Sequence, residues 1–173
     1  MAFVLDVNAP VWREHLNLTV SGRLGLVPVI KGNGYGFGRD LLTSEADALG
    51  VDMIAVGTSH EAESAVEHFA GDVQILTPWR SFLHTAPHPR VIHTVSRIED
   101  LDELARIAPG SKIVLDFETS MKRHGFQASQ LGLITSHLAD LELIGSAIHL
   151  PMQGNNSAEA RHWAQLLSAS DLP

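Results

Sequence analysis

Lys31 closes the apolar run Val27-Pro28-Val29-Ile30, and glycine then occupies every second position through Gly32-Asn33-Gly34-Tyr35-Gly36-Phe37-Gly38. The run, with its two valines and an isoleucine, reads as a buried strand. Desolvating an ammonium at the end of such a strand is costly. One relief is loss of the proton, which leaves an amine able to attack a carbonyl. The alternating glycines let the backbone turn tightly or come close to a ligand. Tyr35 is the only tyrosine of the chain, and its hydroxyl suits a phosphate oxygen. Together these residues point to a covalently held aldehyde cofactor that carries a phosphate. Spacing alone leaves a purely structural turn as an open alternative.

Two nucleotide-binding readings fit less well. A dinucleotide fingerprint needs G-x-G-x-x-G and an acidic residue about twenty positions further on. The spacing here is G-x-G-x-G-x-G, and the next strand ends at Val56-Gly57-Thr58 with no carboxylate on its tip. A phosphate-binding P-loop places its lysine after the glycines, not before them.

The segment Lys31-Gly32-Asn33-Gly34-Tyr35-Gly36-Phe37-Gly38 resembles the signature of the alanine racemase family, lysine-x-asparagine-x-tyrosine-glycine-x-glycine. In that family the lysine carries pyridoxal 5′-phosphate as a Schiff base, and the resemblance gives Tyr35 the phosphate. A second segment, Glu118-Thr119-Ser120-Met121-Lys122-Arg123-His124-Gly125, is similar to the family's aspartate-threonine-glycine-methionine-x-arginine-x-glycine. Glu118 and Ser120 depart from it, whereas Arg123 matches. The resemblance implies that Arg123 approaches the cofactor's phenolic oxygen and the substrate carboxylate, acceptors that suit a planar fork of donors. Seven residues before Arg123, where many members have a carbamylated lysine, stands Asp116, an anion already; it is expected to hold Arg123. His149 follows Ala147-Ile148 and matches a family histidine that stacks on the pyridine ring. The bland readings are a solvated basic loop around Arg123 and a core histidine at position 149.

The resemblance implies a pyridoxal phosphate-dependent isomerase acting on alanine, with an amino acid displacing Lys31 from the aldehyde and the freed amine moving a proton on one face. Racemisation needs a second acid/base, in the family a tyrosine from the C-terminal domain of the partner subunit. That tyrosine and the C-terminal β domain would lie beyond residue 173. The expectation is that residues 1–173 are an N-terminal cofactor-binding domain that does not racemise alone, in a family whose full-length members are homodimers. The alternative is a non-catalytic pyridoxal phosphate-binding protein of the same fold. No metal site is expected. His84 and His88 are four apart, but Pro87 spoils the helix that such a pair needs.

The elements that must place these residues alternate along the whole chain. Strands are expected at 27–30, 52–57, 73–76, 91–95, 112–117 and 143–150, with a short one at 3–6. Helices are expected from Pro10, capped by Asn8; over 39–49; from Ser59 and from Ser96 as caps; and over 128–137 and 156–168. A single helical turn is expected around Phe82. Short strands alternating with amphipathic helices read as βαβ units and a parallel sheet. Periodicity leaves an open sheet and a closed barrel equally possible. The resemblance selects a (β/α)8 barrel of the TIM type, truncated after about six units, since a complete barrel runs to about 250 residues.

Bulk properties set the outer limits. The 173 residues are 45% hydrophobic and 18% charged, as in ordinary globular chains. A net charge of −8 argues against sequence-independent nucleic-acid binding. Zero cysteines exclude disulfides and thiolate metal sites. No apolar run approaches the roughly 18 residues of a membrane span, and Met1-Ala2-Phe3-Val4-Leu5-Asp6 lacks the basic start of a signal peptide. No membrane partner and a cytoplasmic location are the expectations.

Overall fold

The sheet adds its strands in sequence order. In the computed structural model, which describes residues 4–83, 88–138 and 140–172, five parallel strands lie in the order β1 (Met53–Val56), β2 (Asp72–Ile75), β3 (Val91–Val95), β4 (Lys112–Phe117) and β5 (Glu142–Ile148). Before the sheet come α1 (Ala9–Ser21), α2 (Lys31–Tyr35) and α3 (Arg39–Ala48). The connections carry α4 (Ser59–His68), α5 (Ile98–Ile107) and α6 (Leu131–Ile134), and α7 (Asn156–Ser168) follows the last strand. A doubly wound sheet reverses its strand order part-way and takes helices on both faces. This one does not reverse, so crossovers of a single hand put the helices on one face. That is the construction of a (β/α)8 barrel, here about six units long.

The helix side of the sheet is the hydrophobic core. Ile54, Val56, Val73, Ile75 and Val91 pack with Ala62, Ala65 and Phe69 in one cluster; Val95, Ile113, Leu115 and Phe117 pack with Leu101, Leu104 and Trp163 in another. The Phe117 and Trp163 rings lie 5.0 Å apart and fasten α7 to β4. The opposite side is polar. Lys112 of β4 reaches past β3 to pair with Asp72 of β2 at 3.0 Å, and Gln74 donates to Thr94 Oγ1 at 3.3 Å.

Several boundaries differ from the sequence reading. The strand expected at 27–30 is reduced to a bridge between Val29 and Ala55. Its bonds are Ile30 N–H to the Ala55 carbonyl at 2.7 Å and Ala55 N–H to the Pro28 carbonyl at 2.8 Å. Pro28 has no N–H with which to extend the ladder. The last strand starts at Glu142 and ends before His149. The helix cap expected at Ser59 is Thr58, and α5 starts from Arg97 without the side-chain cap expected of Ser96. The helix expected over 128–137 is a short α-helix between two 3-10 turns. Asn8 caps α1 as expected, accepting the Val11 N–H at 3.3 Å. The expected strand at 3–6 is irregular from Val4 onward, and Phe3 lies outside the described residues. Around Phe82 the chain makes one turn, closed by Leu83 N–H to the Arg80 carbonyl at 2.9 Å; His84 to Pro87 lie outside the described residues.

Candidate active site

Lys31 is placed by what precedes and follows it. Ile30 is fixed to β1 through its N–H, so the next residue emerges at the carboxyl end of the sheet. The chain then makes a left-handed turn, with φ of 61° at Gly32, 54° at Asn33, 63° at Gly34 and 54° at Tyr35. A left-handed turn costs L-residues roughly 1–2 kcal/mol each, a cost that glycine escapes. At Gly32 the positive φ favours glycine, and an added Cβ would meet no protein atom within 4 Å. At Gly34 it would lie 3.0 Å from the Leu42 side chain, so here close packing also demands glycine.

What holds the turn is Glu61, on the first turn of α4. Its carboxylate accepts the N–H of Gly32 at 2.7 Å, of Gly57 at 2.7 Å and of Thr58 at 3.0 Å. Burial pushes the Glu61 pKa up, but the backbone N–H groups of Gly32, Gly57, Thr58 and Asn33 outweigh it, and the net shift is downward. Sequence reading missed this residue. The signal was there in Thr58-Ser59-His60-Glu61, the threonine-x-x-glutamate of a capping box.

Arg123 sits on a loop that leaves β4 and folds back against it. Glu118 N–H reaches the Phe126 carbonyl at 2.9 Å, and Phe126 N–H reaches the Asp116 carbonyl at 2.8 Å. Gly125 permits this approach, since a Cβ there would come within 2.3 Å of the Glu118 nitrogen. Two further ties run to other elements. Thr119 Oγ1 donates to the His149 carbonyl at 2.6 Å, and Ser120 gives its N–H and hydroxyl to Glu159 of α7 at 2.5 and 2.7 Å. The two departures from the family motif thus have partners of their own: Ser120 bonds Glu159, and Glu118 pairs with Lys122 at 2.8 Å.

Lys31, Arg123 and His149 line one open cleft, together with Asp116, His124 and the polar pair Gln74 and Thr94. The three are brought together, but not all in the manner expected. Lys31 is exposed at the mouth instead of desolvated, as are Arg123 and His149; among the described residues the far edge of β5 pairs with no further strand, and the cleft lies open. Tyr35 does not line the cleft and is 61% exposed. Asp116 is buried, and its close partner is His124, with Oδ2 2.6 Å from Nδ1. The two stand at ion-pair distance without the geometry of a hydrogen bond. Arg123 acts on Asp116 only through space, contrary to the sequence expectation. Burial raises the Asp116 pKa against the opposing pull of His124, Arg123 and His149. Trp79 is a core residue and Arg80 pairs with Asp100 at 2.8 Å, and neither lines the cleft. Among the described residues no three His, Asp or Glu side chains are grouped to hold a metal ion, and no helix is long and apolar enough to cross a membrane.

The family model described as "Alanine racemase, N-terminal domain" matches residues 12–172. The chain belongs to the alanine racemase family. It is 32% identical over 130 residues to the alanine racemase of Campylobacter concisus, covering 74% of this chain and 36% of that protein. It is 30% identical over 140 residues to that of Campylobacter jejuni, covering 79% and 40%. The chain thus spans well under half the length of these curated relatives. Among solved structures, alanine racemase from Corynebacterium glutamicum superposes with a TM-score of 0.78 at 20% identity, over 95% of this chain and 50% of that one. Alanine racemase from Bartonella henselae with covalently bound pyridoxal phosphate superposes with a TM-score of 0.78 at 14% identity, over 97% and 51%. Both establish the fold.

The donor set of the cleft fits a phosphorylated pyridine aldehyde. It offers a primary amine for the aldehyde and a guanidinium and imidazoles for oxygen and ring contacts, and its one buried carboxylate is already paired.

Proposed function

We propose that residues 1–173 form the N-terminal, pyridoxal phosphate-binding part of an amino-acid racemase acting on alanine, with Lys31 as the residue that holds the cofactor. The observation that carries this is the convergence of Lys31, Arg123 and His149 on one cleft from three separate segments. When bound, pyridoxal phosphate draws electron density away from the α-carbon and acidifies its proton.

The remaining work falls to side chains of the chain. The Lys31 amine, carried on the Glu61-braced turn, takes the α-proton from one face and returns it there. Arg123 receives the carboxylate of the amino acid, through paired donors that fix its orientation. His149, just past the end of β5, would stack on the ring. Tyr35, four residues beyond Lys31 and outside the cleft lining, would donate its hydroxyl to the phosphate. A proton on the opposite face needs a group from outside these residues, in keeping with the dimeric assembly proposed for the full-length protein. We place that protein in the cytoplasm.

The test incubates L-alanine and D-alanine separately with pyridoxal phosphate in D2O. This chain should exchange the α-hydrogen of one enantiomer for deuterium with retention, and convert neither into the other above the level of Lys31→Ala. Absence of exchange despite bound cofactor would leave a binding protein without turnover. D-alanine formed by this chain alone would contradict the one-faced site.

A further inference from the structure

His124 lies next to Arg123 in sequence and lines the same cleft, and the known motif gives its position no role. Its Nδ1 stands 2.6 Å from Asp116 Oδ2, and its Nε2 is enclosed without a hydrogen-bond partner. Asp116 is 5% exposed. A carboxylate so enclosed is stable as an anion only with a cation beside it. Two groups that can carry positive charge reach it from the same loop, His124 in contact and Arg123 at longer range; His149 stands just past the end of β5. Lys31 is the other charged group on the cleft wall. Arg123 makes no side-chain hydrogen bond among the described residues, so no direct contact fixes where its guanidinium points.

We infer that His124 is a positioning residue for Arg123: the two compete for Asp116, and only while the imidazole is charged and occupies that carboxylate does the guanidinium stay free for an anionic ligand. When the imidazole loses its proton, Asp116 loses its contact cation, and Arg123 turns inward to replace it. His149 and Lys31 leave this exchange unchanged in kind, because neither shares the loop that must move. The carboxylate-binding competence of the cleft then follows the protonation of a residue that does not touch the ligand. This rests on the reading of Arg123 as the receptor for the substrate carboxylate.

The experiment follows the Arg123 Nε–H resonance by NMR in the ligand-free chain between about pH 5 and 8, the range in which imidazoles titrate. In the wild type it should shift with the same midpoint as the His124 ring. In His124→Gln it should hold the high-pH position throughout, and in Asp116→Asn the low-pH position throughout. A wild-type resonance that does not move, or one that still titrates in His124→Gln, would overturn the inference. Circular dichroism of both near-isosteric variants confirms that they fold. The readout needs no cofactor, so failure of the chain to bind pyridoxal phosphate would count against the proposed function and leave the competition for Asp116 to be decided by the resonance.

Discussion

The Glu61 carboxylate accepts the Gly32 backbone N–H at 2.7 Å, one residue beyond Lys31 and twenty-nine positions away in sequence. The same carboxylate holds Gly57 and Thr58 at the tip of β1. A single side chain therefore ties the lysine-bearing turn to the first full strand. Glu61→Ala should cost about 1–2 kcal/mol, since water takes over part of each lost bond at this partly open position. Urea unfolding measures it. Because the Glu61 pKa is lowered in the folded chain, its contribution is complete above its ordinary value of 4.5 and fades as the pH falls below that. The wild-type advantage over Glu61→Ala should shrink in the same window.

The Arg123 loop depends on one glycine. At Gly125, with φ of 134°, a Cβ would stand 2.3 Å from the Glu118 nitrogen and 2.4 Å from the Phe117 carbonyl carbon. Both are backbone atoms and cannot step aside. Gly125→Ala should destabilise the chain by at least about 3 kcal/mol, read as a lowered melting temperature. Gly132→Ala, where nothing lies within 4 Å, is the matched control and should leave it nearly unchanged.

Glu159 ties that loop to α7 through Ser120. Glu159→Ala should raise the hydrogen-exchange rate of the Ser120 amide, with little change at Phe126, whose bonds are to backbone. Equal rates in the two proteins would show that the tether does not fix the loop.

His93, 4% exposed within β3, has its pKa pushed down to about 4 by burial. In the unfolded chain it titrates near 6.5, so as the pH falls from 6.5 toward 4 the unfolded chain binds a proton that the folded one refuses. At about 1.4 kcal/mol per pH unit, the fold should lose about 3 kcal/mol across that window. His93→Leu should flatten this part of the stability profile, measured by urea unfolding at a series of pH values.

The sequence was readable where chemistry and local geometry share a residue. Lys31 and its glycines marked both the motif and the left-handed turn; the strand–helix alternation marked a parallel sheet, and the resemblance, not the alternation, pointed to strands added in sequence order. Arg123 and His149 were found through their motifs, and both reach the cleft. The partner of Asp116 was misread because charge along the chain does not reveal direction: Arg123 and His124 are adjacent, and the loop's return at Gly125 decides which one meets β4. The openness at Lys31 was hidden for a similar reason, since the run before it looks buried although Pro28 limits it to one bridge. Glu61 was overlooked because its main partner, Gly32, belongs to another element.

The account stands on covalent capture by residue 31, and the most direct measurement is borohydride reduction of the chain mixed with pyridoxal phosphate, followed by peptide mass spectrometry. The account predicts one phosphopyridoxyl group per chain, located on Lys31 and absent from Lys31→Ala. Labelling spread over Lys112 and Lys122, or unchanged labelling in Lys31→Ala, would contradict it.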